Sequence, residues 1–234
     1  MVDFHSHILP KIDDGSDSLE TSIAMLRMEA AQGIRYVIAT PHFYPRHDTP
    51  AHFLRCREHA TLILQEEMDR HTGLPKVFLG AEVHYFRGIS ESEFLPQLTI
   101  AGKDCILIEM PTSHWDAAMF RELETIYTRW GILPVIAHID RYVGPFRTHD
   151  ILRQLAQLPV LVQANASFFL DRSTVGLAMR MLKADQIHLL GSDCHNMKDR
   201  MPNLGDAVGK ITKKMGADPI VHIRETAYQL LQLD

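Results

Sequence analysis

The sequence lacks any run of ~18 consecutive apolar residues, and no basic segment leads into an apolar one at its N-terminus. Neither a membrane span nor a secretory signal is expected, and the default is a soluble cytoplasmic protein. Cysteine is scarce: Cys56, Cys105 and Cys194 are odd in number and form no C-x-x-C pair. That argues against a disulfide framework and fits a reducing compartment. A basic surplus is missing too. Lys and Arg total 24 against 29 Asp and Glu, a net charge of −5 with His neutral, so general nucleic-acid affinity is not expected. No Ser/Gly/Pro linker, low-complexity tract or fixed-period repeat divides the chain, and residues 1–234 are expected to form a single domain.

Histidine, by contrast, is abundant, with 14 in 234 residues. The chain opens VDFHSHILPKIDDG, residues 2–15, where two histidines interrupt an apolar run and two aspartates follow shortly after. A strand sends side chains i and i+2 to one face. A strand over 2–8 therefore aims His5 and His7 together, the geometry of two ligands on one metal ion.

After this strand, Asp17 and Glu20 fit a capping box. Leu19, Ile23, Leu26, Ala30 and Ile34 then follow at steps of four and three, an amphipathic helix that Gly33 helps to end. A second helical segment covers roughly 51–72, before Gly73 and Pro75. Short apolar runs at 36–42, 77–85, 106–111, 133–139, 160–166 and 187–195 alternate with helical patterns near 116–130, 148–158 and 174–184, and two more helices follow 203. Seven runs that are apolar along their length predict a parallel sheet covered on both sides. The simplest architecture is one α/β barrel of seven βα units, although a doubly wound open sheet has the same periodicity. The placement of polar residues favours the barrel. His5 and His7, His42, Glu82, Glu109, His138, and Asp193 with His195 fall at or near the C-terminal ends of six of the seven runs, the rim where barrel enzymes keep their chemistry.

A single histidine beside an apolar strand is more often a hydrogen-bonded core residue than a ligand. Five histidines and three acids at successive strand ends are another matter, because burying each without a partner costs several kcal/mol. Divalent cations neutralise such a set. Imidazole suits Zn, Fe and Mn, carboxylates bridge ions, and the set exceeds what one ion can use. A multinuclear site follows, in which two metals sharing a hydroxide form the standard apparatus for attack on phosphorus.

These residues carry a family resemblance. HSHILPKIDDG, TPH at 40–42, GAE at 80–82, Glu109, AHIDRY at 137–142 and GSDCHNMKDRMP at 191–202 resemble the PHP (polymerase and histidinol phosphatase) superfamily. More narrowly, they resemble its bacterial protein-tyrosine phosphatases of capsule and exopolysaccharide operons, a branch that the HxHxLPxxDDG pattern sets apart. The resemblance implies a distorted, TIM-like (βα)7 barrel holding two to three divalent ions, Mn, Fe or Zn. It implies that His5, His7, Glu82 and Asp193 hold one ion, that Glu82 bridges to a second completed by Glu109 and His138, and that Asp14, His42 and His195 take a third. Arg141 and Arg200 match the family's phosphate-holding arginines. The implied reaction is attack by a metal-bridging hydroxide on protein phosphotyrosine, with a bacterial tyrosine kinase of polysaccharide export as partner. Two positions depart from the pattern: the usual HPER stretch reads His138-Ile139-Asp140-Arg141, and Lys11 stands where glycine is common after Leu-Pro.

Cys194 and Arg200 also have the C-x5-R spacing of metal-free, cysteine-dependent tyrosine phosphatases. No glycine lies between them, Met201 stands where Ser or Thr assists the leaving thiolate, and Asp193 adjoins the cysteine, against the electropositive site a thiolate needs. The match is read as accidental, and Cys194 as a small residue filling a tight strand end. His84 shares a face with Glu82 if the strand continues, which makes it a candidate acid or support residue. Asp13 reads as a turn residue before Gly15. Phe43 and Tyr44 fit an aromatic wall for a phenyl phosphate and fit packing equally. His47, His52, His59 and His71 read as solvated, and Asn196, Lys198 and Asp199 have no assigned role. Two other functions stay open: a small-molecule phosphatase or phosphodiesterase of the histidinol-phosphate or nucleotide type on the same core, and a non-catalytic module that its metals hold together. A carboxylate-rich set beside two arginines favours a site that admits an anion over a closed structural one. Nothing in the sequence speaks to oligomeric state.

Overall fold

The computed structural model describes residues 1–143 and 148–233. Its strands are β1 (Val2–Ser6), β2 (Tyr36–Ala39), β3 (His42–Phe43), β4 (Lys76–Leu79), β5 (Glu82–His84), β6 (Cys105–Glu109), β7 (Leu133–Ile136), β8 (Leu161–Asn165) and β9 (Leu189–Gly191). All pair in parallel, in the orders β1-β2-β4 and β3-β5-β6-β7-β8-β9. The apolar character of each run follows from this, since parallel strands are covered on both faces.

The runs expected as single strands at 36–42 and 77–85 are each broken in two, and the breaks lie side by side. Ala39 pairs with Leu79 before them and His42 with Glu82 after them, so the register is kept. Pro41 has no N–H to give a ladder. Through the break Thr40 N–H donates to Ser6 O, Gly80 N–H to Ala39 O and Glu82 N–H to Pro41 O. The paired runs thereby leave the sheet of β1 and join that of β6, which curls the parallel array into a half-barrel. Beyond β9, Ser6 forms a parallel bridge with Cys194. His7 N–H donates to Cys194 O at 2.9 Å, and Asp193 N–H to His5 O at 2.8 Å.

Side chains divide between two cores. Val2, Phe4, Ile38, Leu107, Val135 and Leu189 form one, against Ala227 and Leu231 of the C-terminal helix α8 (Asp218–Leu231). The larger core lies under α1 (Leu19–Ala31), α2 (Pro50–Met68), α3 (Ala117–Trp130), α6 (Val175–Lys183) and α7 (Leu204–Met215), and includes Leu26, Leu64, Leu123, Met181 and Ile211. Burying one such side chain contributes about 1.5–3 kcal/mol. Two shorter helices, α4 (Thr148–Leu155) and α5 (Ala166–Leu170), complete the set among the described residues. No described helix is long and apolar enough to cross a membrane.

Several local expectations are corrected. The N-cap of α1 is Ser18, not Asp17: Ser18 has the extended backbone a cap needs and accepts from Thr21 N–H. Asp17 instead accepts from the Thr21 hydroxyl on the surface. Helix α2 ends at Met68, four residues before Thr72, and α5 follows β8 directly where no helix was expected. Between β5 and β6 there are only 3-10 turns, at Ile89–Glu91, Leu95–Leu98 and Ile100–Gly102.

Candidate metal centre

The C-terminal strand ends converge. β1 and the turn after it bring His5 and His7, whose Nε2 atoms are 3.1 Å apart. β3 brings His42, β5 Glu82 and β6 Glu109, while His138 follows β7, and Asp193 and His195 follow β9. Glu82 sits at the middle. Its Oε2 is 3.2 Å from His5 Nε2, 3.3 Å from His7 Nε2 and 2.9 Å from His42 Nδ1, and its Oε1 is 2.7 Å from His138 Nε2. Asp193 Oδ1 lies 3.6 Å from His5 Nε2 and 3.5 Å from His7 Nε2. Asp14 stands at the exposed side of the cluster, its Oδ1 3.3 Å from His42 Nε2 and 3.6 Å from His195 Nε2.

Local backbone explains how a short stretch delivers so many polar groups. β1 has a register irregularity between Asp3 and Ser6, the kind of bulge that re-aims side chains beside functional sites. His138 and Asp193 are held at φ 31° and 53°, a left-handed conformation that costs a non-glycine residue about 1–3 kcal/mol. Lys11 has φ 59°, the physical reason glycine suits that position. Gly191 cannot be replaced freely: a Cβ there would lie 2.5 Å from His5 Cβ. Asp3 fastens β1 to β9, accepting from His5 N–H at 3.1 Å, Ser192 N–H at 2.9 Å and the Ser192 hydroxyl at 2.5 Å.

Three residues that sequence reasoning missed orient the cluster. Asp13, read as a turn residue, accepts from His7 Nδ1 at 2.7 Å and from His42 N–H at 3.0 Å. Gln163 Oε1 accepts from His138 N–H at 2.6 Å and lies 3.4 Å from His5 Nδ1. Asn165 Nδ2 donates to Asp193 Oδ2 at 2.9 Å. The i, i+2 amide pair in an otherwise apolar β8 is the signal that was available, and with it the seventh run also contributes. For His5, His7 and His195, Nδ1 faces an acceptor, Gln163 Oε1, Asp13 Oδ2 and Asp193 O respectively. Each therefore presents the lone pair of Nε2 inward, as metal-ligating histidines do.

Electrostatics agree with that geometry. Burial would raise Glu82 and Asp193, but the surrounding histidines outweigh it and hold both well below the usual carboxylate range. Burial likewise opposes ionisation of Glu109, which His138 and His84 nevertheless bring to about 2. Burial and then the charge of His7 lower His195 to about 4. His42 Nδ1 and Glu82 Oε2 are buried 2.9 Å apart, yet neither has a well-formed hydrogen bond among the described residues, and nor does His195 Nε2. Donor atoms of three groups, His7/Asp14/His42/His195, His5/His7/Asp193 and His42/Glu82/Glu109, lie within 4.8 Å of one another. A mixed imidazole and carboxylate set with orphaned inward atoms fits divalent cations.

Arg141 and Arg200 converge on Asp193, each placing Nη2 2.8 Å from one carboxylate oxygen. Arg141 Nη1 also lies 3.2 Å from Glu109 Oε1. Guanidinium has five donors, so both keep donors for an incoming anion. Cys194 is buried, and burial, with Glu29 and Asp3 nearby, pushes its thiol well up. A buried thiol held in its protonated form is ill suited to nucleophilic attack. Phe43 belongs to the core, against Phe53 and Phe94, whereas the Tyr44 ring stands 5.0 Å from that of His42.

Comparison with known proteins agrees with this frame. The family model for capsular polysaccharide synthesis proteins CpsB/CapC matches residues 1–231. The chain is 30% identical to tyrosine-protein phosphatase CpsB of Streptococcus pneumoniae, over 93% of this chain and 92% of that protein. It is 29% identical to tyrosine-protein phosphatase YwqE of Bacillus subtilis, over 99% and 92%. A crystal structure from work on YwqE and CpsB, described as unique metal-dependent tyrosine phosphatases, superposes with a TM-score of 0.87 at 27% identity, covering 99% of this chain and 94% of that one. The chain belongs to the CpsB/CapC family.

Proposed function

We propose that this chain is a metal-dependent phosphomonoesterase that hydrolyses phosphotyrosine in proteins. The observation that carries the reading is the buried cluster of inward Nε2 atoms around Glu82 and Asp193, flanked by two arginines with donors to spare. His5, His7, Glu82 and Asp193 would hold one divalent ion, Glu82, Glu109 and His138 a second, and Asp14, His42 and His195 a third. His7 and His42 each also approach a neighbouring group, which suits a compact multinuclear centre. Manganese, iron and zinc all suit the donors. Bound ions supply Lewis acidity that activates water and offsets charge on the phosphoryl oxygens. With their remaining donors, Arg141 and Arg200 would hold the phosphoryl oxygens and offset their developing charge. Asp13, Gln163 and Asn165 keep the imidazoles and Asp193 in place.

The same reading takes the curled sheet as one distorted (βα)7 barrel and residues 1–234 as one domain, of which 144–147 and 234 lie outside the described residues. The Ser6–Cys194 bridge on one side of β1 and the β2 pairing on the other support it. The proposed partner is a bacterial tyrosine kinase of polysaccharide export, met in the cytoplasm; the CpsB/CapC family match supports this. Elemental analysis of the purified protein, with turnover of a phosphotyrosyl peptide, histidinol phosphate and a dinucleotide, tests the proposal. Bound divalent metal and preference for the peptide are expected. Full metal occupancy without hydrolysis, or preference for either small molecule, overturns it.

A further inference from the structure

Beside the metal centre lies a pocket of about 240 Å³, whose lining includes Tyr44, Arg46, His47, His84, Tyr85 and Phe86. It is smaller than the ~300 Å³ of pockets that enclose whole ligands, and its size suits one side chain. Two of its walls are shared with the centre. The Tyr44 ring lies 5.0 Å from the His42 ring and 5.3 Å from the His84 ring, and His84 Nδ1 is 3.0 Å from Glu109 Oε2. Tyr44 and His84 thus border both the pocket and the groups that would hold the phosphoryl site. Burial, then Glu109, Glu82 and Asp14, raise the Tyr44 hydroxyl above its ordinary value.

We infer that this pocket is an aryl slot, in which Tyr44 and His84 stack on the substrate's phenol ring and select aryl over alkyl phosphomonoesters. The inference rests on the proposed phosphatase activity and deepens it. A single oxygen joins a phosphoryl group to its aryl ring, so the ring of a phosphoryl group held beside His42 and Glu109 falls against whatever flanks those residues. Here that is the rings of Tyr44 and His84, and aromatic rings favour offset or edge-on packing with a third ring. An alkyl ester of serine or threonine offers the slot no such face. Arg46, also in the lining, is exposed. Tyr44 is on this account a substrate-positioning residue: its loss falls mainly on KM.

The test compares kcat/KM for a phosphotyrosyl peptide and its phosphoseryl counterpart in the metal-loaded protein. Tyr44→Leu keeps apolar bulk without the ring and is expected to lower the tyrosine-to-serine ratio ~3- to 10-fold, chiefly through KM, while Tyr44→Phe keeps the ratio. Phe86→Ala, which also lines the pocket, should move it the same way. Calorimetric binding of phenylphosphonate against methylphosphonate reads the same preference without turnover, and metal content measured on each variant separates a lost slot from a lost centre. A wild type that hydrolyses the phosphotyrosyl peptide while both Tyr44→Leu and Phe86→Ala leave the ratio and the phosphonate preference unchanged overturns the slot alone. A metal-loaded wild type that hydrolyses neither peptide overturns the phosphatase reading, and the slot with it.

Discussion

Asp13 Oδ2 lies 2.7 Å from His7 Nδ1, as close as Glu82 Oε1 is to His138 Nε2, and the same oxygen takes the His42 backbone N–H at 3.0 Å. Burial alone would raise this carboxyl. The hydrogen bond and charge of His7 outweigh burial and bring it to about 2. One side chain thus fixes the tautomer of one ligand candidate and the backbone of another. Asp13→Ala is expected to weaken metal binding ~10- to 100-fold, the usual cost of losing a partner that orients a ligand. Competition against a calibrated chelator measures this, and unchanged affinity would remove Asp13 from the site.

Metal binding should depend on pH. Burial opposes charge on His138, yet hydrogen bonds to Glu109 and Glu82 lift it to about 9 in the metal-free chain, and His7 moves in the same direction. An ion taking these nitrogens displaces their protons, so apparent affinity should rise ~tenfold per pH unit for each proton released, with the His138 contribution levelling above about 9. Calorimetry in buffers of different ionisation enthalpy counts those protons. The metal-free fold has the matching dependence. A raised histidine contributes stability that is fully present below its unfolded value of 6.5 and lost as pH rises through about 9. Metal removal should therefore be tolerated best on the acid side of that window.

Glu29 is buried beside Asp3, and burial, then the Asp3 charge, raise its carboxyl well above 4.5. Its contribution to stability is greatest below 4.5 and is lost as pH rises through its folded value. Glu29→Gln removes that loss. The variant should gain on the wild type between pH 5 and pH 8 in urea midpoints, by about 1–3 kcal/mol at the alkaline end; an equal difference at both pH values would contradict the assignment.

Cys194 and Asp193 are neighbours with opposite expected phenotypes. Cys194→Ser should leave phosphotyrosine hydrolysis largely intact, because the thiol faces Asp3 and Glu29 and burial keeps it protonated. Asp193→Ala removes the group that both arginines and three histidines approach, and His195→Ala removes an inward Nε2. Both should abolish turnover. Loss of activity in Cys194→Ser with metals and fold retained would revive the cysteine mechanism.

Much of the site was legible because its chemistry is periodic. His5 and His7 stand out through i, i+2 spacing, and the acids and histidines of later runs stand out because each ends an apolar stretch. Asp13, Gln163 and Asn165 were hidden for the opposite reason. Their partners are backbone or side-chain atoms that lie far off in sequence or on a turn whose geometry is not local. The capping box missed by one residue because Asp17 and Ser18 are both good caps and only backbone conformation chooses between them.

The sequence by itself determined the alternation of apolar runs and helices, the parallel sheet and the residue types that gather at its C-terminal rim, since hydrophobic period and the cost of burying charge act locally. Tertiary structure decided the rest. The shared break at 40–41 and 80–81 moves two runs from one sheet to the other and sets His42 against Glu82. The β1 irregularity and the left-handed residues His138 and Asp193 aim their side chains inward. Which nitrogen of each imidazole faces the cluster depends on acceptors that only folding brings within hydrogen-bonding distance.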